Sequence, residues 1–341
     1  MRDAGPVRIS LAFQGNKRLA EYARLAGAAE SFGFDAVSMF GDLFYQPPLP
    51  GLLAMAGATS RISLGPACLN PFTLHPVEIA GQIAALDRAS EGRAYLGLAR
   101  GSWLRMLGID QRGGAEAVGE AAAVVLALLA RDTEGIIGTR FGLPAGACLQ
   151  DAPLRSRVPI LIGTWGPRLA AIAGEVADWV KVGGSANPRL LPLVRAWVDR
   201  GILRAGRDPN CVGLVVGAVT VVAEDGDTAR RRAREEVAMY LEVVGRLDPT
   251  TEVPEDLLAK IGRLLRENDR EGAGRLIPRD LLDRFAFAGR PNEITEHAIA
   301  LLDAGADGIE FGTPHGLSDG EGVRLLGSRV LPELRLDRDG L

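Results

Sequence analysis

The side chains able to do chemistry sit at the ends of short apolar runs, and each has two readings. Asp42 follows the run at 35–40 (DAVSMF) in the segment GDLF, and it is placed either to meet a ligand or a proton or to cap a loop. Cys68 lies in GPACLNP at 65–71, where two prolines and a glycine make a stiff, irregular strand end. A nucleophilic thiolate needs a base or positive charge beside it. None adjoins Cys68 in sequence, so a buried, inert thiol competes with a reactive one. Arg100, in RGSW, is suited to an anion or to a rim salt bridge. The turns GTWGP at 163–167 and GGS at 183–185 each precede a helix, and Pro167 suits a first helical position. Two small-residue turns of this kind can clamp a phosphoryl group between their backbone N–H groups. Neither matches a P-loop or a dinucleotide fingerprint, and ordinary strand-to-helix turns look the same. His315, in GTPHG, has no titratable neighbour in sequence and reads as a substrate contact or a solvated loop histidine.

The rest of the composition narrows the field. His75 precedes Pro76 at a helix start, and His297 falls among helix residues and is expected on the surface. Three scattered histidines give no metal-ligand spacing, and no GxSxG or HExxH occurs, which weighs against metal-dependent and triad hydrolysis. Cys68, Cys148 and Cys211 lie far apart with no CxxC pair, which excludes a zinc ribbon and disfavours a disulfide scaffold. A formal net charge of −4 over 341 residues argues against a dedicated nucleic-acid binder. Hydrophobic residues at 47% and charged residues at 24% describe a folded chain with a large core. No stretch of ~18 apolar residues occurs, and the first residues lack an apolar signal segment, so a cytoplasmic protein is expected. Of 39 basic residues only Lys17, Lys181 and Lys260 are lysine, which reads as a base-composition bias of the genome and carries no mechanism.

The candidate side chains need a scaffold, and hydrophobic periodicity supplies one. Apolar runs at 7–13, 35–40, 62–68, 94–99, 159–162, 179–182, 212–222 and 308–311 predict eight strands. Helical spacing follows them at 19–32, 50–60, 77–89, 115–130, 167–174, 189–205, 228–244 and 293–302, with a closing helix at 320–334. Eight strand–helix alternations predict an α/β fold, a (β/α)8 TIM barrel with insertions, in preference to an open doubly wound sheet. The Gly-rich stretch 135–149 reads as a hairpin or irregular insertion. The polar segment 248–284, broken by Pro249, Pro254 and Pro278, reads as a helical insertion at about 246–285 of a single 1–341 barrel domain. Function in such a barrel gathers at the carboxyl ends of the strands, where all the candidates fall.

Four blocks then carry a family resemblance: GPACLNPFTLHP at 65–76, DRASEGRAYLGLARG at 87–101, VPILIGTWGPRLAAIAGEVADWVKVGGSANP at 158–188, and FAGRPNEI, FGTPHG and RLLGSRVLPEL between 287 and 334. Together they resemble the bacterial luciferase-like superfamily over nearly the whole chain, most closely its coenzyme F420-dependent methylenetetrahydromethanopterin reductase branch. The resemblance implies a luciferase-like barrel with the deazaflavin at its carboxyl face. It also implies a bulge with a non-prolyl cis peptide at the end of strand three, mapping to Ala67 and Cys68, that backs the ring. Asp42 matches the acidic residue ending strand two, which contacts the ring region of the cofactor, and Asn70 an asparagine beside the bulge. Gly163, Thr164, Trp165 and Gly166 match the loop near the cofactor phosphate, as do Gly183 and Gly184, and Arg100 joins the cofactor-binding set.

Three positions depart from the branch. Ala12 stands where the archaeal reductase has a glutamate in strand one, Leu43 where a histidine often follows the aspartate, and Trp165 where a smaller or polar side chain is usual. The implied activity is hydride transfer between coenzyme F420 and a small imine, enone or alcohol rather than methylenetetrahydromethanopterin itself. With Ala12 unable to supply a proton, Asp42, His315 or water is left to do so. Two readings stay open beside it, an FMN-dependent monooxygenase using reduced FMN and dioxygen, and a catalytically silent flavin-binding barrel. The expected partner is a small-molecule substrate, with no nucleic acid or membrane, and homodimerisation is common in the family.

Overall fold

Runs rich in Val, Leu and Ile, covered on both faces, form strands without polar alternation. They are β1 (Arg8–Phe13), β2 (Ala36–Met39), β3 (Ser63–Pro66), β4 (Leu96–Ala99), β5 (Ile160–Gly163), β6 (Trp179–Gly183), β7 (Gly213–Val222), β8 (Ala286–Gly289) and β9 (Gly308–Gly316). The computed structural model describes residues 7–339. All strand pairs are parallel, in the order β3-β2-β1-β9-β7-β6-β5-β4. Bridges Leu64 to Ala94 and Leu69 to Leu98 join the two ends, so eight strands close on themselves. The ninth, β8, pairs only with the last four residues of β7. It is the one strand the hydrophobic pattern does not separate, because its four residues directly continue a polar helical segment.

The helices follow as α1 (Leu19–Phe32), α2 (Pro48–Gly57), α3 (Pro76–Ala89), α4 (Gly114–Ala130), α5 (Pro167–Val176), α6 (Leu191–Arg204) and α7 (Gly226–Val244). Then come α8 (Glu255–Arg266), α9 (Arg270–Arg275), α10 (Arg279–Phe285), α11 (Pro291–Asp303), α12 (Asp319–Leu325) and α13 (Leu331–Asp339). Proline near the start of α2, α3, α5 and α11 costs no hydrogen bond, since the first helical N–H groups have no partner within the helix. His75 caps α3, its Nδ1 accepting the Val77 N–H at 3.3 Å.

The closing helix expected at 320–334 is interrupted by a π-helical turn at Leu326–Val330. There Gly327 lies flat on Phe32, and a Cβ would fall 2.3 Å from that ring. Helices α8–α10 occupy the polar segment and share a second apolar cluster with α7 that includes Leu241, Leu258, Ile261 and Phe285. The Gly-rich stretch makes one antiparallel bridge, Ile136 to Leu143, and Glu120 holds the amides of Thr139, Arg140 and Phe141. His297 is not a surface residue. Its Nε2 meets the Ala186 carbonyl at 2.8 Å, its ring lies 5.1 Å from Phe287, and burial lowers its pKa. No helix of the described residues is long and apolar enough to cross a membrane.

Candidate active site

In-register residues of parallel neighbours point to the same side of the sheet. The pairs Ala12–Ser38, Ala12–Gly312, Gly217–Glu310, Gly183–Gly217, Gly163–Lys181 and Ala99–Gly163 therefore trace one inward-facing set around the barrel. At its lower end the Arg8 guanidinium lies over the Tyr95 and Trp179 rings, 4.8 and 5.1 Å from their centroids. Barrel interiors are commonly filled by branched side chains. Toward the carboxyl ends much of this one is small, with Ala12, Ala99, Gly163, Gly183, Gly217 and Gly312 beside the larger Phe40 and Val219. A Cβ at Gly163 would come 2.9 Å from Cys68 Sγ, and one at Gly217 would come 3.2 Å from Lys181 Cε and 3.3 Å from Glu310 Cβ. The missing side chains leave a shallow cup, the shape a flat ring system needs.

One wall of the cup is the segment after β3. The Ala67–Cys68 peptide bond is cis and non-prolyl, at the position the resemblance assigns. Cys68 faces inward with Tyr95, Leu161 and Trp179. Burial pushes its thiol up to about 12, outweighing the pull of the Lys181 charge, so the sulfur is a neutral wall atom and no nucleophile. Asn70 is buried, and its Oδ1 accepts from the Phe72 and Thr73 N–H groups and the Thr73 hydroxyl, which fixes the β3–α3 loop in place.

Asp42 stands on the rim, two residues beyond Phe40. Its Oδ2 accepts from Gln14 Nε2 at 2.9 Å, and Gln14 Oε1 in turn accepts the Gly15 N–H. Burial pushes the Asp42 carboxyl above the usual range, against the Gln14 hydrogen bond and the Lys181 charge, which both pull it down. The result is a carboxyl that holds its proton more tightly than a solvated one, the property of a general acid. Tyr240 of α7 covers this rim, packing on Trp103 with centroids 6.2 Å apart. Burial raises the Tyr240 hydroxyl far above its usual pKa, so it is a neutral donor.

Beneath the cup lies the feature the sequence reading passes over. Lys181 of β6 and Glu310 of β9 form an ion pair, and both side chains are under 5% exposed. The second Glu310 oxygen accepts from Ser38 Oγ at 3.0 Å, and the Lys181 ammonium sits 5.3 Å from the Phe40 ring centroid. The signal for this pair is present in the sequence, as one charged residue in WVKVG and one in GIEFG, inside otherwise apolar strands. Lys17 is also buried and paired, with Asp319 at 3.1 Å. The scarce lysines are thus not only a base-composition effect.

His315 does not join Asp42. It is fully buried, with its ring 5.0 Å from Phe13 and its Nδ1 3.3 Å from Asp319, and its Nε2 has no hydrogen-bond partner among the described residues. Phe13 also packs edge-on to Tyr22 of α1, which places the histidine on the helix side of the strands rather than inside the barrel. Neither a substrate contact nor a solvated loop position describes it. Arg100 is exposed and runs along the start of α4, where a Cβ at Gly114 would come 2.6 Å from its Nε.

The two Gly-rich turns do lie side by side, but their amides are partly used. Thr164 Oγ1 accepts the Gly166 N–H at 3.1 Å, and the Gly217 carbonyl accepts the N–H groups of Gly184 and Ser185 at 2.6 and 3.1 Å. Trp165 Nε1 donates to the Gly183 carbonyl at 2.8 Å and ties the turns together. The turns' own hydrogen bonds hold them together, and fewer amides are left for a phosphate than two fully free turns would offer.

Known proteins of the same build fit this geometry. The profile of the luciferase-like monooxygenase family matches residues 6–308. The 5,10-methylenetetrahydromethanopterin reductase of Archaeoglobus fulgidus is 27% identical over 317 residues, covering 90% of this chain and 93% of its own. The structure of the coenzyme F420-dependent tetrahydromethanopterin reductase from Methanopyrus kandleri superposes with a TM-score of 0.86 at 24% identity, covering 97% of this chain and 100% of that one. An F420-dependent secondary alcohol dehydrogenase holding an F420–acetone adduct gives 0.80 at 20% identity, covering 97% and 100%.

Proposed function

Since the chain belongs to the luciferase-like monooxygenase family, we propose that it is an F420-dependent oxidoreductase acting on a small imine, enone or alcohol. The observation that carries this is the ring of Ala and Gly at the barrel's carboxyl end, walled by the Ala67–Cys68 bulge and rimmed by Asp42. Relatives whose names say F420-dependent, matched over about nine-tenths of the chain, support the choice of deazaflavin. Bound in the cup, the deazaflavin supplies or accepts the hydride. The protein does the rest. The bulge would back the ring, Asn70 fixes the bulge's exit, and the Gly163–Gly166 and Gly183–Gly184 turns would hold its phosphate-bearing tail, with Arg100 nearby. Asp42, oriented by Gln14, would deliver the proton that accompanies a hydride to an imine or enone, and in its ionised form would take up the proton an alcohol releases with its hydride. Tyr240 and Trp103 cover the mouth and exclude water. Residues 1–341 act as one barrel domain, in the cytoplasm and as a homodimer. Elution at monomer mass counts against the dimer.

Titration of the apo-protein with F420 and with FMN, each followed by its own fluorescence, tests this reading. F420 is expected to bind selectively. Gly163→Val, which fills the cup against Cys68, is expected to weaken that binding by about tenfold or more while the circular dichroism stays native. Selective FMN binding overturns the choice of cofactor. Oxygen consumption with reduced FMN then identifies a monooxygenase, the chemistry for which the family is described.

A further inference from the structure

We propose that the Lys181–Glu310 pair sets the charge felt by Asp42, with Glu310 neutralising the lysine so that Asp42 retains the proton it delivers. The proposal rests on the preceding reading only for the use of that proton. The geometry stands apart from it. Lys181 rises from the middle of β6 past Gly183, where a Cβ would lie 3.6 Å from its Cε, and ends over Phe40, two residues before Asp42. Glu310 has no oxygen to spare, since one meets Lys181 and the other Ser38.

A pair in this position is not explained by stability. Two well-packed apolar side chains of similar volume stabilise an interior as well as, or better than, a desolvated ion pair. What an apolar pair cannot do is tune a neighbour. An unneutralised ammonium beneath Asp42 draws off its proton, and an unneutralised carboxylate there holds the proton on. The other groups facing Asp42 are Gln14 from the end of β1, Cys68 from the bulge and Tyr240 from α7, with Tyr45 and Glu236 next to Tyr240. Gln14 is uncharged, and burial keeps Cys68 and Tyr240 neutral. Among the charged groups around it, Lys181 is the one whose field acts on the Asp42 carboxyl, while Glu236 acts on Tyr240, so Lys181 and its partner Glu310 are positioning residues rather than catalytic ones.

The test is the titration of Asp42 in apo-protein labelled with 13C at aspartate carboxyls, its resonance assigned by loss in Asp42→Asn. Glu310→Gln is expected to move that titration to lower pH and Lys181→Met to higher pH, each by roughly half a unit or more. The neutral double variant Lys181→Met/Glu310→Gln is expected to return it close to wild type. Should Lys181→Met fail to fold, Glu310→Gln against the double variant still gives the sign. Shifts in the same direction, or none, overturn the proposal and leave the pair a packing element. The pH profile of turnover with reduced F420 is read in parallel. A profile that stays fixed while the Asp42 resonance moves upholds the charge-setting role and removes Asp42 as proton donor.

Discussion

Asp42→Asn slows turnover by about 10²–10⁴-fold, the range lost when a positioned acid is removed, while F420 binds nearly as in wild type. The amide keeps the shape of the carboxyl and can still meet Gln14, so cup and turns stay intact and the loss falls on proton delivery. Steady-state kinetics with reduced F420, beside the fluorescence titration, reads the two quantities separately. Unchanged turnover removes Asp42 from the chemistry. The same variant carries a stability signature with a definite sign. Burial raises the folded-state pKa of Asp42, so the unfolded chain loses this proton first as pH rises. Stability falls through that window and stays lower above it. Asn escapes this loss, so Asp42→Asn is expected to melt higher than wild type around pH 7.5. The gain fades as pH falls toward and below ~4, where the unfolded carboxyl regains its proton. A gain of the same size at both pH values disproves the buried-acid account.

The second large effect is on folding. Lys181→Met leaves Glu310 inside the barrel with only Ser38 as partner, and breaking a buried pair from one side costs about 3–5 kcal/mol. That is a large share of the ~5–15 kcal/mol that holds a typical domain folded. Lys181→Met/Glu310→Leu removes both charges together and is expected to recover most of the loss. Denaturant unfolding of the three proteins decides it. A double variant no more stable than Lys181→Met shows that the lysine stabilises by packing and that its charge is incidental.

The scaffold is legible in the sequence because each barrel strand is a mainly apolar run and each helix repeats its apolar face. The run at 160–163 and the proline at 167 suffice to place β5 and α5. Legibility fails where tertiary packing decides. The segment 286–289 becomes a strand only because the last residues of β7 offer it an edge. The helix ending the chain takes a π turn because Gly327 must lie against Phe32, a residue almost three hundred positions away. The candidate site divides in the same manner. Asp42 is found from its place after an apolar run, and the Ala67–Cys68 bulge from a block that carries the family resemblance. Gln14, Trp103 and Tyr240 are ordinary residues in sequence, and only the closed barrel brings them to one rim. His315 shows the opposite failure. Its strand-end position suggests the barrel mouth, yet its ring points behind the strand to Phe13 and Asp319. Lys181 and Glu310 are visible as charges inside apolar strands, and counting lysines without placing them hides the more informative of the two.

The distribution of lysine has a practical corollary. Two of the three are shut inside the fold, and Lys260 on α8, paired one turn away with Asp256, has a side chain 58% exposed. An amine-reactive reagent applied to the folded protein thus finds one exposed lysine among the described residues. A dye or a surface tether attaches at α8 and orients every molecule alike. Acylation of Lys17 or Lys181 by the same reagent, read by peptide mass mapping, reports the moments when the barrel opens.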